Sequence, residues 1–517
     1  MRLLIYCIFF TQILLACRNS DSVISVPETP ENVYIEQHRP QFHFTPEANW
    51  MNDPNGMVYH EGEYHLFYQY YPDSTGWGPM HWGHAVSTDM VFWEHLPVAL
   101  YPDSLGYIFS GSVVMDHGNT SGLGTDGKDP MIAIFTHHNM DGERTGTLTY
   151  QTQSIAYSND NGRTWTKYEG NPVIANPGIK DFRDPKVIWD DVFNRWVMVF
   201  AAYDKALIYT SADLKDWTQT GSFGIEGDTR LWECPDLFPM TVEETGEIKW
   251  VLITSIQKDA PNGGTATSYF VGDFDGEQFI GDPNNQKWLD YGKDNYALVT
   301  WANIPESDGR TLALGWMSNW QYAQVVPTEA WRSAMTLPRS LTLHQMGDDY
   351  VIKSAPVKEL EKLRTSDARI LSAVIKEGLD LGAIVKHDGL LELDLTFKKP
   401  ESGLIDIHLS NELEEYVSIG YSADDDIFFV DRTFSGKADF SDDFADFHIA
   451  PRMRNSEEVR FHIFIDHSSV EVFADDGLTS MTEIFFPNKN YMNFTINTAI
   501  NEVELLEGKV NGLQRIW

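Results

Sequence analysis

Tyr64-His65-Leu66-Phe67-Tyr68 is a short run of apolar and aromatic residues, and the chain returns to it four more times. The later copies are Met131-Ile132-Ala133-Ile134-Phe135, Trp196-Val197-Met198-Val199-Phe200, Trp250-Val251-Leu252-Ile253-Thr254 and Leu312-Ala313-Leu314-Gly315-Trp316. Each run has the length and residue types of a buried strand. A second pattern follows the runs: Ser87-Thr88-Asp89 before Trp93, Ser158-Asn159-Asp160 before Trp165, Ser211-Ala212-Asp213 before Trp217, and a degenerate Asp273-Phe274-Asp275-Gly276. Ser and Asp side chains hold tight turns, and each Trp falls on the strand that follows. Units of about sixty residues, rich in short strands and nearly free of helical periodicity, predict a β-propeller. Five copies predict five blades of four antiparallel strands, with the ring hiding the sheet edges. A long irregular sandwich leaves the fivefold recurrence unexplained.

Working outward from each run, the residues just ahead of it carry the chemistry. They are Asn52-Asp53-Pro54, Phe109-Ser110-Gly111-Ser112, Arg183-Asp184-Pro185, Glu233-Cys234-Pro235 and Asp294-Asn295-Tyr296. The first belongs to Trp50-Met51-Asn52-Asp53-Pro54-Asn55-Gly56, which reads as a stiff turn: Pro54 fixes φ, and Asn55 and Gly56 tolerate a left-handed backbone. The following strand is expected from Met57. In a propeller, equivalent positions of successive blades surround one axis, so Asp53, Asp184 and Glu233 are expected to converge. Three carboxylates in one funnel cannot all ionise freely, which leaves a protonated acid beside an ionised partner. Glycosidic cleavage requires that combination; a hard cation such as Ca²⁺ is the other use for three carboxylates. Gln69, Trp77, Trp82, His84, Ser110, Arg183, Trp232, Trp316 and Trp320 lie near these positions and suit a sugar, and Arg183 would bring a cation into the funnel. The chain has no zinc-type ligand motif, phosphate-cradling loop or nucleophile elbow.

Composition narrows the partner. A formal charge of −38 over 517 residues repels nucleic acid and anionic lipid, while a neutral substrate meets no such barrier. The 16 Trp and 22 Tyr suit both β packing and sugar stacking, so their number does not choose between the two. Arg2, an apolar run from Leu3 to Leu15 and Leu14-Leu15-Ala16-Cys17 read as a bacterial lipoprotein signal, residues 1–16, with lipidation of Cys17. A plain secretion signal is the other reading. Residues 17–40 then form a polar tether, placing the body at the cell envelope, on the outer-membrane surface or the periplasmic face. Cys7 leaves with the signal and Cys17 carries lipid, so Cys234 stands alone and no disulfide framework exists. The propeller is expected over 41–354, a charged and mildly helical connector over 355–369, and alternating strands over 370–517 as a β-sandwich.

These motifs carry a family resemblance. Trp50 to Gly56, Phe67-Tyr68-Gln69, Trp82-Gly83-His84-Ala85, Phe109 to Ser112, Phe182 to Pro185, Trp232 to Pro235, Gly315-Trp316-Met317 and Met335-Thr336-Leu337-Pro338-Arg339 resemble the motif set of glycoside hydrolase family 32, in family order. Asp466 to Phe473 resembles the family's sandwich signature, with His467 where Arg is usual. The resemblance implies an all-β protein, a five-bladed β-propeller followed by a C-terminal β-sandwich. It implies retaining hydrolysis of β-fructofuranosidic bonds in levan, inulin or sucrose, with no cofactor. It assigns Asp53 as nucleophile, Glu233 as acid/base and Asp184 as stabiliser of the transition state. Asn52, Gln69, Trp77, Phe109, Ser110, Arg183 and Trp316 match positions lining the fructose subsite. A non-catalytic fructan-binding propeller has no need of all three carboxylates, and a pentose-specific five-bladed glycosidase would lack the Asn52 to Gly56 motif. The envelope tether favours a polymer over sucrose.

Overall fold

The computed structural model describes residues 34–498 and 501–517. The expected signal, Cys17 and the tether up to residue 33 lie outside the described residues. Between residues 49 and 356 the chain forms five antiparallel sheets. The recurring runs are the second strands of these sheets: Glu63–Tyr71, Met131–His138, Arg195–Ala202, Ile248–Ile256 and Thr311–Met317. The first strands are Asn49–His60, Tyr107–Met115, Phe182–Asp190, Trp232–Thr241 and Tyr296–Thr300. Each first strand touches the next, and the fifth touches the first, so the five sheets are blades around one axis. Trp331–Arg332 closes the ring by pairing in parallel with Asn49 and Trp50.

The Ser/Asp pattern is the turn it was expected to be. Asp89 Oδ1 accepts from the Val91 and Phe92 amides at 3.0 Å, and the Trp93 indole donates back to the Met90 carbonyl at 3.1 Å. Trp165 and Trp217 make the same return bond to Gly162 and Leu214, at 2.9 and 3.0 Å.

Asp53 does not sit in a turn ahead of a strand. Asn49–His60 is one continuous strand that passes through the Asn/Pro/Gly segment, and the unusual residues make bulges within it, between Met51 and Pro54 and between Asn55 and Val58. Every first strand carries a bulge at this height: 109–110, 184–185, 234–235 and 297–298 are the others. Asp184, Cys234 and Ala297 take left-handed φ values there, 63°, 45° and 53°. Ladder register refines the expected equivalence. Arg183 and Glu233 occupy one position, the last pair before the bulge, and Asp184 and Cys234 occupy the next. A regular strand sends neighbouring side chains to opposite faces; a bulge breaks that alternation and lets two neighbours face the same way.

Beyond a 3₁₀ turn at Lys358–Leu363, two six-stranded antiparallel sheets pack face to face. The first sandwich strand begins at Arg364, inside the expected connector, because Leu360 and Leu363 bury themselves against the propeller and leave no free linker. Leu391, Leu393, Leu395 and Phe397 alternate inward from one sheet and meet Ile405, Ile407 and Leu409 of the other. Phe464, Phe473 and Leu513 of the sandwich share one apolar cluster with Trp50, Trp316 and Tyr296 of the propeller. Buried ions cross the same seam. Arg339 donates to Asp290 at 2.8 Å and to Glu471 at 2.6 Å. Arg432 donates to Asp294 at 2.5 Å and to the Tyr322 hydroxyl at 2.9 Å. His43 stands between Asp466 and Glu471, at 2.8 and 3.1 Å. At the rim of the seam the Tyr34 ring stacks on Trp517, centroids 4.4 Å apart.

Candidate active site

The bulges deliver their side chains to one cavity of about 270 Å³ at the end of the axis. Consecutive residues line it in three blades: Asn52 and Asp53, Phe109 and Ser110, Arg183 and Asp184. Glu233 arrives from the fourth blade and Trp320 from the fifth.

Asp53 is held from two sides. Asn55 donates its amide to the Asp53 carbonyl at 3.2 Å and accepts from the Gly111 N–H of the next blade at 3.1 Å. That double contact gives the Asn55 of the Trp50 to Gly56 segment its purpose. Asp53 Oδ2 accepts from the Ser110 hydroxyl at 2.8 Å, with the Cys234 thiol 3.6 Å away, while the buried Oδ1 has no partner. Burial, and then the negative charge of Asp53, push the Cys234 thiol up, so it stands as a neutral group beside the carboxylate.

Arg183 is the cation of the site. Its Nη1 donates to Asp181 at 2.7 Å, its Nε and Nη2 donate to Glu233 Oε1 at 3.2 and 3.0 Å, and its Nε lies 3.5 Å from Asp184 Oδ2. The second oxygen of Glu233 accepts from the Tyr296 hydroxyl at 2.5 Å. Asp184 Oδ2 accepts from the Cys234 N–H at 3.3 Å. Burial raises the Asp184 carboxyl well above the ordinary range; Arg183 opposes the shift, and the charges of Glu233 and Asp53 reinforce it. Asp184 thus holds its proton beside two other carboxylates, as like charges at close quarters favour.

Of the sequence-predicted residues, Asp53, Asp184, Glu233, Asn52, Gln69, Trp77, Phe109, Ser110 and Arg183 all line the cavity. Gln69 keeps a buried amide nitrogen without a partner, and Asn52 accepts from the Trp50 indole at 2.7 Å. Trp316 does not reach the cavity. It is fully buried behind Trp320, ring centroids 4.8 Å apart, because its strand turns it into the core shared with Trp50 and Tyr296. Trp82, His84 and Trp232 are core residues as well.

The cavity also takes His138, Glu143, Gln151, Asp181, Gln257 and Gln324. Phe109 stacks flat on His138 at 4.1 Å. The His138 Nδ1 accepts from the Gln151 amide at 3.1 Å, which leaves Nε2–H facing Glu143 at 3.2 Å. Burial, and then the Arg183 charge, lower His138 to about 3, so the ring stays neutral. Asp181, two residues before Arg183, carried a signal that sequence reading passed over: an acid beside a cation on a strand start. The other five are single polar residues at strand ends, in loops and, for Glu143, in the short helix Met140–Arg144, with no motif to mark them.

Comparison with known proteins agrees with this architecture. Residues 43–355 match the model of the glycosyl hydrolases family 32 N-terminal domain, and residues 359–511 match that of the family 32 C terminal. A levanase of Bacillus subtilis (strain 168) is 45% identical over 524 residues, spanning 100% of this chain and 75% of its own length. An extracellular exo-inulinase of Aspergillus awamori is 36% identical over 518 residues, spanning 94% of this chain and 96% of its own. The crystal structure of exo-inulinase from Aspergillus awamori superposes with a TM-score of 0.85 at 34% identity, covering 94% of this chain and 100% of that one. The β-fructofuranosidase of Schwanniomyces occidentalis, complexed with fructosyl-erythritol, gives a TM-score of 0.84 at 32% identity, covering 93% and 99%.

Proposed function

The chain belongs to glycoside hydrolase family 32, and from that premise we propose that it hydrolyses β-D-fructofuranosidic bonds of fructans by double displacement, with retention of configuration. One observation carries the reading. Three blades deliver Asp53, Asp184 and Glu233 to one cavity, with the Arg183 guanidinium against Glu233 and Asp184 and one Asp53 oxygen left unpartnered. Asp53 attacks the anomeric carbon through that oxygen. Glu233 gives its proton to the departing glycosidic oxygen, then takes one from the water that cleaves the fructosyl-enzyme. Asp184 accepts from fructose hydroxyls, and Arg183 steadies Glu233 and Asp184 as charge moves between them. Ser110 orients Asp53, while Gln69 and Asn52 supply polar contacts and Trp77 and Phe109 a flat apolar wall.

The levanase and exo-inulinase relatives support a fructan as substrate. All five blades contribute lining residues to the one cavity, and the exo-inulinase relative supports release of fructose from a chain end. Incubation with levan, inulin and sucrose tests this. Free fructose from the outset, polymers cleaved better than sucrose, and activity lost in Asp53→Asn by about 10⁴-fold or more are expected. Glu233→Ala slows substrates with poor leaving groups most. Full activity in Asp53→Asn would sink the mechanism, and an oligosaccharide ladder would sink exo action.

The proposal extends to the cell envelope. Leu14-Leu15-Ala16-Cys17 supports cleavage before Cys17 and a lipid anchor there. Incorporation of labelled fatty acid, abolished by Cys17→Ser, is the expected result; label retained in that variant would refute it.

A further inference from the structure

The displaced sugar leaves on the side away from Asp53, where Glu233 stands. Two propeller loops form the cavity wall there. One follows the strand Ile248–Ile256 and carries Gln257; the other follows Thr311–Met317 and carries Trp320 and Gln324. Gln257 lies beside Glu233, since Glu233 pairs with Ser255 and the Gln257 N–H donates to the Leu231 carbonyl at 3.1 Å.

The loops are locked to one another by Asn319. Its amide donates to the Lys293 carbonyl at 2.7 Å and its oxygen accepts from the Gln321 N–H at 3.1 Å, with Thr265 of the other loop at 3.4 Å on both sides. A Cβ on Gly264 would lie 2.5 Å from Asn319, so the two loops meet without slack.

Both loops then rest on the sandwich. Asn262, at the tip of the first, donates to the Ile449 carbonyl at 2.9 Å and accepts from the Ile449 N–H at 3.1 Å. Ile449 lies on Phe447–Pro451, the edge strand of its sheet, so one Asn side chain takes the place of a neighbouring strand. Tyr322 of the second loop packs edge-on to Phe444 at 5.2 Å and accepts from Arg432. Trp320 presents an indole and Gln257 and Gln324 present neutral amides, which is the chemistry of an uncharged sugar.

We propose that Gln257, Trp320 and Gln324 form the subsite for the sugar on the leaving side, and that the sandwich sets its shape through Asn262. The sandwich thereby selects among leaving groups without touching the reacting atoms, and Asn262 is a positioning residue. This rests on Glu233 being the acid, as proposed above.

The test compares substrates that share the fructosyl group and differ in what leaves. Asn262→Ala, and Ile449→Pro from the sandwich side, each remove part of the lock; the proline deletes only an outward N–H of an edge strand. The expected result is about a tenfold lower kcat/KM for a fructo-oligosaccharide of three or more units. Activity on p-nitrophenyl β-D-fructofuranoside and the melting temperature stay unchanged, and amide exchange quickens at Thr265. Gln257→Ala, with the loop still locked, loses more on the oligosaccharide than on the aryl fructoside. Equal losses on both substrates, or none, overturn the inference. Because only active variants are compared, that outcome is distinct from failure of the mechanism, which Asp53→Asn and Glu233→Ala report.

Discussion

Asp184 is a buried carboxyl in left-handed backbone, followed by a proline, with two other carboxylates for neighbours. Such a residue costs stability for the sake of the site. Its folded value lies above its unfolded one, so the folded protein keeps a proton that the unfolded chain gives up once pH passes the ordinary carboxyl range. Stability therefore falls as pH climbs from there towards the raised value. Asp184→Asn removes the effect. Its melting temperature is expected to exceed that of the parent by about 2 °C near neutral pH, with the gap closing towards pH 4, while activity falls by about 10²-fold or more. Thermal melts across pH and kcat measure the two. The three carboxylates were legible in the sequence because each stood beside a turn-type residue ahead of a recurring run. His138 and Gln257 were not, since a polar residue at a strand end looks alike whether it faces a cavity or water. Trp316 misled for the opposite reason: it sits in a matching motif, and only packing sends its ring behind Trp320.

The bulged first strand is the element that makes the site. Its two irregular residues let Asn52 and Asp53 face the same way, and Gly56 carries the second bulge at φ +53°. A Cβ there would lie 2.7 Å from the Phe67 ring and 2.9 Å from the Val113 side chain, both core residues between the first two blades. Gly56→Ala is expected to lower unfolding stability by about 2–3 kcal/mol through overpacking and backbone strain. Denaturant titration measures it, and a loss below about 0.5 kcal/mol would mean that the bulge relaxes freely. Five recurring second strands announced five blades, because buried strands have a simple apolar signature. The first strands did not announce themselves as strands, because Asn, Pro and Gly belong to turns in local terms, and only pairing with the second strand of each blade keeps them extended. The connector erred likewise: charged residues at 364–369 read as a link, yet Arg364 pairs with Leu513 across the sheet.

At the scale of the whole molecule, propeller and sandwich share one apolar cluster and a seam of buried ions. His43 is the titratable member. Burial opposes its charge, but Asp466 and Glu471 outweigh burial and raise it from 6.5 to about 9. That stabilisation is complete below the unfolded value and fades as pH rises through the folded one. His43→Gln leaves buried Asp466 without its cation and Glu471 with Arg339 alone, and is expected to cost about 3 kcal/mol at pH 6. The difference from the parent narrows by pH 9.5, and melting at a series of pH values measures it. The seam was invisible in the sequence, since His43, Asp466 and Glu471 lie far apart along the chain and no periodicity links them. The Tyr34 and Trp517 rings, stacked at that same seam, have a separate consequence. A short linker between these positions would make the polypeptide circular in connectivity, so the chain can be permuted. New ends opened at an exposed glycine turn such as Asp126-Gly127, far from the seam in sequence, would leave the cavity and its ring of blades intact.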